Sequence, residues 1–354
     1  MHYELTLAHL ALTQYGLAQI KTLYDEEGSA EAALSRLGRR FPSEEAIVQG
    51  EIEWCEKNNV RILTISDADY PDRLRHCPDA PMVLFTRGKA DLNAQHIISI
   101  IGTRKCTQYG RQVINDIVKN LAQQRPDILV VSGLAYGVDI NAHRAALDRG
   151  LSTVGVVAHG QDTLYPSLHR NEANRMCLGN GGVLTEFFHG TRSLAPYFLQ
   201  RNRIIAGMSD ATLVIESASH GGGLATARMA QEYNREVLAV PGPVNAEYSQ
   251  GCNNLIRDNR AALVTSAEDI MHLLQWQDAS VVSAKRSHGV ERQLFPSLSP
   301  DEQRVVDALQ QGDLQTNALA IQTAIPIGTL TALLFSLEMK GMVKPLSGNV
   351  YHLI

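Results

Sequence analysis

The sequence predicts an α/β fold: a doubly wound parallel sheet, preceded by a small helical domain and followed by a winged helix. From Val60 onward, short apolar runs such as Ile97–Ile101 alternate with helical segments of about ten to fifteen residues. This alternation is typical of βαβ units, which build parallel sheets with helices on both faces. Glycine turns follow several of the runs, as Gly102 and Gly133 do. We therefore expect residues 61–276 to form the sheet domain.

The first 60 residues have a helical pattern broken at glycines such as Gly16 and Gly28, which predicts a small helical, SAM-like domain over 1–60. A helix-hairpin-helix module that binds DNA phosphates would need a glycine turn with several cations beside it. Here Lys21 is the cation that follows the first turn, and an acidic run comes next at 25–27. The pattern favours a packing or interaction domain over a DNA-binding one.

The stretch 97–110 (IISIIGTRKCTQYG) predicts an anion-binding turn between a buried strand and a helix. The uncharged run ends at Gly102, Thr103 and Arg104, and a helical pattern begins at Gln108. The first turn of a helix carries unpaired N–H groups and the positive end of the helix dipole. In parallel sheets, ligands bind beyond the carboxyl ends of the strands, where such turns gather. We predict that a nucleotide or a nucleic-acid backbone binds at this turn.

The motifs of two common nucleotide-binding folds are missing. The first strand–helix unit has no GxGxxG with an acid about twenty residues later, and the chain has no GxxxxGK[ST]. The loop of Gly221, Gly222 and Gly223 follows a strand and opens a helix, so it is a candidate anion loop, but it lacks the lysine of an NTPase. One alternative function uses this loop and Glu216, in a nucleotide-binding or nucleotide-processing enzyme that acts on a phosphoribosyl compound. Another is a nucleotide-sensing module whose output comes from the winged helix.

Asp139 and His143 lie one helical turn apart after the turn GLAYG, which is a spacing that a metal pair could use. Caps and packing contacts are the commoner roles for such residues at a helix start, and the pattern favours these roles. No nucleophile stands near Glu216 in the sequence. We therefore predict no catalytic residues, no cofactor and no metal, and the protein is predicted not to be an enzyme.

Three groups of cations follow the predicted strand ends with few acids among them. They are Arg104, Lys105 and Arg111; His169, Arg170 and Arg175; and Arg192, Arg201 and Arg203. The parallel fold should bring these groups to one rim, which predicts a positive groove on a chain whose formal net charge is −5. Arg201 and Arg203 are two residues apart on a helix, so both cannot face the groove.

Aromatic residues are interleaved with these cations, at Tyr109, Tyr136, Tyr165, Phe187, Phe188, Tyr197 and Phe198. Some of these rings belong to the core. An exposed ring would stack a nucleic-acid base for about 1–3 kcal/mol, which favours single strands over duplex.

Residues 277–297 are polar and lack periodicity, which predicts a linker. Residues 298–354 read as three helices followed by a hairpin with its turn at the SGN of 347–349, which is the winged-helix pattern. A duplex-reading winged helix carries several basic side chains on its third helix, and this one has only Lys340. We expect this domain to contact proteins rather than DNA.

Compartment and membrane signals both favour a cytoplasmic protein. Five cysteines are scattered without a CxxC pair, which argues for a reducing compartment and against a zinc site. No stretch approaches the about 18 apolar residues of a membrane span, and the N-terminus lacks a signal-peptide pattern.

Several motifs in order resemble the DNA-processing protein A (DprA/Smf) family over about residues 60–274. They are GTRKCTQYG, VVSGLAYGVDINAHRAAL, HGQDTLYP, RNRIIAG, VIE, GGLATA and AVPG. Three positions depart from the family pattern. The chain has GGGLATA where the family usually has SGSLITA, Leu199 where it has a proline, and NNLIRDNRAALV where it has a GA.

The resemblance implies an extended Rossmann-like domain that binds single-stranded DNA, forms a homodimer through that domain and has no catalytic activity. It implies that the protein protects incoming DNA and loads the RecA recombinase during natural transformation. Carried onto this sequence, the DNA-binding residues are Gly102, Thr103 and Arg104 of the first turn, Arg201, Asn202 and Arg203 of the RNR motif, and His169 or Arg170 after the YP. The N-terminal helical domain and the C-terminal winged helix also occur in long members of the family.

Overall fold

The computed structural model describes residues 1–38, 42–276, 298–310, 312–340, 342–346 and 350–353. The chain divides into two compact units, Met1–Trp276 and Gln277–Ile354. The linker predicted over 277–297 and the hairpin turn predicted at 347–349 lie outside the described residues. The predicted domain boundaries within the first unit stay a prediction.

Four helices and a π-helical turn precede the sheet. They are α1 (His2–Leu10), the π-helical turn Ala11–Tyr15, α2 (Leu17–Glu27), α3 (Ala30–Arg36) and α4 (Pro42–Lys57). Their apolar side chains, among them Leu5, Leu7 and Ile20, join one continuous core with Phe85 and Phe188 of the sheet region. Burial of apolar surface therefore attaches these helices directly to the sheet.

Nine strands form one mixed sheet. They are β1 (Arg61–Thr64), β2 (Val83–Gly88), β3 (Ile97–Ile101), β4 (Leu129–Ser132), β5 (Ser152–Val156), β6 (Gly182–Thr185), β7 (Ala211–Val214), β8 (Glu236–Ala239) and β9 (Ala262–Leu263). Their order is β1-β2-β6-β5-β4-β3-β7-β8-β9. The seven strands β3 to β9 all run parallel to their neighbours among themselves, which confirms the predicted doubly wound sheet. The strands β1 and β2 add an antiparallel edge next to β6.

Eight helices accompany the sheet. They are α5 (Asp72–Arg75), α6 (Gln108–Gln124), α7 (Val138–Asp148), α8 (Arg170–Leu178), α9 (Ala195–Met208), α10 (Gly222–Glu232), α11 (Gln250–Arg257) and α12 (Ala267–Leu273). Along β3, Ile98 and Ile100 pack with α6, α7 and α12, whereas Ile97 and Ile101 pack in the core that contains α9 and α10. The period-2 alternation of a strand thus separates two helical layers.

The second unit has winged-helix architecture. It contains α13 (Pro300–Leu309), β10 (Leu314–Gln315), α14 (Thr316–Thr323), α15 (Ile327–Met339), β11 (Val343–Leu346) and β12 (Val350–Leu353). The sequence pattern predicts three helices and a hairpin here, and the structure adds a short strand, because Leu314 and Gln315 pair with β12. The side chains of Ser299 and Glu302 form a capping box at the start of α13. Hydrogen bonds, above all from Lys340, lower the pKa of Glu302 to about 2.

Among the described residues, no single helix is long and apolar enough to cross a membrane. The helices α14 and α15 meet the length and hydropathy requirement only as a pair, and that pair is bent by 108° at its break.

Candidate nucleic-acid interface

A cavity of about 320 Å³ lies at the carboxyl ends of β3 and β7. These two strands are neighbours, and the chain leaves them in opposite directions across the sheet: β3 leads to β4, β5 and β6, and β7 leads to β8 and β9. Such a switch point is where open α/β sheets bind ligands. The cavity is lined by Ile101, Gly102, Thr103, Arg104, Ala135, Asp139, Ala195, Phe198, Leu199, Arg201, Asn202, Ile205, Ser217, Gly222, Gly223 and Thr226.

The turn after β3 is held in place by backbone hydrogen bonds to two neighbours. Thr103 donates its N–H to the carbonyl of Glu216 at 2.7 Å, and its own carbonyl accepts from Val138 N at 3.1 Å. A Cβ atom at Gly102 would lie 2.6 Å from the Glu216 carbonyl oxygen, so the close approach of the two strand ends requires glycine there. The turn that carries Arg104 is therefore fixed by the strand pairing itself.

The carboxylate of Glu216 is committed to the start of α6. It is buried and accepts hydrogen bonds from the backbone N–H of Thr107 at 2.8 Å and from the Thr107 hydroxyl at 2.5 Å. Burial, with Glu216 beside it, raises the pKa of the Cys106 thiol to about 12. The alternative enzymatic function would need Glu216 as a free base or a sugar ligand, and these contacts occupy it instead.

Arg104 and two aromatic rings stand together at the mouth of the cavity. The Arg104 guanidinium lies 5.1 Å from the centre of the Phe198 ring, and the Tyr165 ring meets Phe198 edge-on at 5.8 Å. Arg104 is exposed, Phe198 is half-buried and Tyr165 is 45% exposed. A cation held over a ring is stabilised by the ring quadrupole and keeps its charge available to an anion.

Arg201 places a buried cation at the wall of the same cavity. Only 3% of its surface is exposed, and its Nη1 donates to the carbonyls of Gly133 and Val156. Its Nε lies 3.2 Å from Asn202 Oδ1, and its Nη2 has no hydrogen-bond partner within the described part of the chain. Burial lowers the pKa of Arg201 to about 10, which leaves it charged at neutral pH. An anion in the cavity would supply the missing acceptor.

Asp139 and His143, the pair considered for a metal, are both buried on α7. Burial raises the pKa of Asp139 although Arg201 opposes the shift, and burial lowers the pKa of His143 to about 3. The Nδ1 of His143 lies 2.7 Å from the hydroxyl of Thr153, which itself donates to the Val130 carbonyl, so His143 donates this bond. No cluster of three or more metal-ligating side chains occurs among the described residues.

The loop of Gly221, Gly222 and Gly223 opens α10 at the far wall of the cavity. Gly222 and Gly223 line the cavity, and Gly221 is the N-cap residue with no side chain to cap the helix. A Cβ at Gly223 would stand 3.4 Å from the Cα of Gly102, so the two glycine turns face each other. The first-turn N–H groups of α10 add positive potential to the cavity.

The structure brings together Gly102, Thr103, Arg104, Arg201 and Asn202 of the predicted DNA-binding residues, and it places the other three elsewhere. The guanidinium of Arg203 is buried and donates to the Glu186 carboxylate and the Asp79 carbonyl. His169 is buried with Nδ1 at 2.8 Å from the Leu134 carbonyl. Arg170 is exposed at the start of α8, outside the cavity lining.

The sequence did not show which of the aromatic rings lie near the cavity and which are buried in the core. Of the aromatic residues singled out, Phe187 and Phe188 are buried, whereas Phe198 lies against Arg104 at the cavity and Tyr165 lies against Phe198. It also did not place Asp139 at the cavity wall. For Tyr165, the available signal was its position just before the cations His169 and Arg170, between a predicted strand and a predicted helix.

The family model described as DNA recombination-mediator protein A matches residues 61–275, and that of the DprA winged helix domain matches residues 291–349. The chain is 31% identical over 315 residues to Protein Smf of Escherichia coli (strain K12), a match that covers 86% of this chain and 81% of that protein. It spans about 60% of the length of the Mycobacterium tuberculosis relatives that it matches at 38% identity.

Solved structures similar to this one include those of two DNA processing proteins A. DNA processing protein A from Streptococcus pneumoniae superposes with a TM-score of 0.65 at 29% identity, covering 77% of this chain and 97% of that chain. DNA processing protein A from Helicobacter pylori has a TM-score of 0.55 at 26% identity, covering 61% of this chain and 96% of that chain. The Helicobacter structure describes a single-stranded DNA binding mode of that protein.

Replacing Arg203 by methionine should destabilise the fold strongly, because the replacement leaves Glu186 buried without its cation. Removing one partner of a buried ion pair costs about 3–5 kcal/mol. Urea unfolding measures the loss, and Arg104→Met, at an exposed position, should stay within about 0.5 kcal/mol of wild type. Unfolding of the Arg203→Met variant at the wild-type urea concentration would show that the pair does not hold the fold.

The unfolding free energy should fall as the pH drops below the ordinary histidine pKa of 6.5, in part because of His143. The unfolded chain binds a proton at this site below pH 6.5, whereas the folded chain binds it only near pH 3. Titration of this histidine therefore lowers the unfolding free energy by up to about 1.4 kcal/mol for each pH unit below 6.5, until the folded chain also binds the proton. His143→Asn can keep the hydrogen bond to Thr153 without titrating, so its unfolding free energy should depend less steeply on pH. Equal slopes for the variant and wild type would contradict the assignment.

Proposed function

This chain belongs to the DNA recombination-mediator protein A family, and we propose that it binds single-stranded DNA at the switch-point cavity. The observation that carries the proposal is the convergence of one exposed and one buried cation on a single cavity. Arg104 lies at its mouth, and Arg201 lies in its wall with Nη2 unpartnered within the described residues. The first turn of α10 adds backbone N–H donors. This donor set suits a phosphate of a nucleic-acid backbone.

The rings at the mouth support a preference for single strands. A base can stack on Phe198 or Tyr165 only when it is free of its own duplex, and such stacking is worth about 1–3 kcal/mol per base. Because every base has a flat face and phosphates carry no sequence, the binding should tolerate any sequence. The related protein from Helicobacter pylori binds single-stranded DNA, and this relationship supports the same proposal.

We further propose that the protein protects incoming DNA and loads a RecA-type recombinase onto it during natural transformation, without catalysis. Support comes from the family described as recombination mediators and from Glu216, whose carboxylate is occupied at the start of α6. A homodimer through the Rossmann-like domain and action in the cytoplasm are parts of this proposal. All five cysteines are free, which suits a reducing compartment.

The winged helix is proposed as a protein-contact module. On α15 the apolar side chains of Ile327, Phe335 and Met339 are exposed. Lys340, the basic residue that follows the last turn of α15, is paired with Glu302 at 2.7 Å. An apolar and nearly uncharged helix face suits a protein surface better than a phosphate backbone.

A gel shift with one oligonucleotide, single-stranded and as duplex, tests the function. Wild type should bind the single strand more tightly than the duplex. A plot of the logarithm of the binding constant against the logarithm of the salt concentration should have a slope of about −0.7 for each phosphate neutralised. Arg104→Ala should weaken binding equally for all sequences and reduce the salt slope by about 0.7. Arg149→Ala, an exposed arginine at the amino-end side of the sheet beyond α7, is the matched control and should bind as wild type.

Two outcomes of this experiment would overturn the proposed function. One is an affinity that does not change with salt, and the other is an Arg149→Ala effect as large as that of Arg104→Ala. Turnover of free nucleotides would instead support the enzymatic alternative.

A further inference from the structure

Glu51 on α4 is a buried carboxylate that holds the loop leading into α9. Only 2% of its surface is exposed. Both of its oxygens lie 3.1 Å from the backbone N of His189, and Oε2 lies 2.5 Å from His189 Nδ1. Burying a carboxylate is costly unless hydrogen bonds compensate it, and here one residue of the loop provides all three contacts.

Other side chains of α4, and one side chain from β2, close around this contact. The His189 imidazole stacks on the Trp54 indole with centres 5.0 Å apart and planes 4° apart, and the Arg87 guanidinium lies 5.9 Å from the Trp54 ring centre. Cys55 lies on the same helix with Sγ 3.6 Å from Glu51 Oε1. Burial, with Glu51 beside it, raises the pKa of the Cys55 thiol to about 12. The contact thus joins α4 and β2 to the loop between β6 and α9.

The loop leads directly to the DNA-binding residues. Gly190 donates its N–H to Asp162 Oδ1 at 2.8 Å, and the Thr191 carbonyl accepts from Gly160 N at 3.0 Å. The chain then begins α9, whose N-cap residue, Leu194, has no capping side chain. The N-cap residue therefore gives the first N–H groups of α9 no side-chain acceptor, and the loop contacts help to fix how the chain enters the helix.

We propose that Glu51 is a positioning residue for the DNA site, acting through His189 on the start of α9; the inference rests on the proposed function. The helix α9 presents Phe198, Arg201 and Asn202 to the cavity. If residues 187–194 sample several conformations, DNA binding has to order them, and the affinity falls by that cost. The N-terminal helices would then contribute to DNA binding without touching DNA.

The test compares four variants with wild type for binding to single-stranded oligothymidylate. Glu51→Ala removes all three contacts, whereas Glu51→Gln keeps one oxygen to accept from His189 N. Glu53→Ala changes an exposed glutamate on the same helix, and Ile52→Val removes a buried methyl group from it while leaving Glu51 in place. Unfolding midpoints and amide hydrogen exchange over 187–194 are measured on the same samples.

We expect Glu51→Ala to weaken binding by about three- to tenfold, with Glu51→Gln between it and wild type. Exchange over 187–194 should be faster in Glu51→Ala, while Ile52→Val and Glu53→Ala should bind as wild type. The inference is overturned if Glu51→Ala binds as wild type, or if Ile52→Val weakens binding as much at a similar loss of stability. A wild-type protein that fails to retain oligothymidylate would instead show that the proposed function itself is wrong.

Discussion

The parallel pairing of β3 with β7 is the constraint on which the site depends. Residues 98–101 of β3 pair with 211–214 of β7, and the pairing continues past the strand ends when Thr103 donates to the Glu216 carbonyl. This contact places the turn with Arg104 opposite the glycine loop that begins α10. The chain leaves the two strands in opposite directions, and a cavity lies between their ends, lined by the two turns, by α9 and by the first turn of α10.

Charge is distributed in a way that the net value of −5 does not reveal. Arg203 forms a buried ion pair with Glu186. Arg201 donates from Nη1 to two backbone carbonyls, and its Nη2 remains available to an anion in the cavity. The exposed charge comes from Arg104, oriented by the Phe198 ring. A mildly acidic protein can therefore hold a polyanion, because a few oriented donors in a partly desolvated cavity outweigh distant screened charges.

The sequence predicted the sheet, the winged helix and the glycine turn after β3, because strand runs and glycine turns are local signals. Which arginine of RNR faces the cavity is not local. Residues two apart on a helix point to opposite sides, and only the packing of α9 decides that Arg201 lines the cavity while Arg203 meets Glu186. The short strand at Leu314 was missed for a related reason, since its pairing partner β12 comes about 36 residues later in the chain.

Photocrosslinking of a single-stranded oligonucleotide that contains 5-iododeoxyuridine tests most directly whether nucleic acid binds at the switch-point cavity. Halogenated uracil forms adducts with aromatic side chains that stack on it, and mass spectrometry of the digested protein identifies them. We expect adducts on Phe198 or Tyr165, the rings beside Arg104. Adducts confined to rings far from the cavity, such as the exposed Tyr3 of α1, would contradict binding at this site.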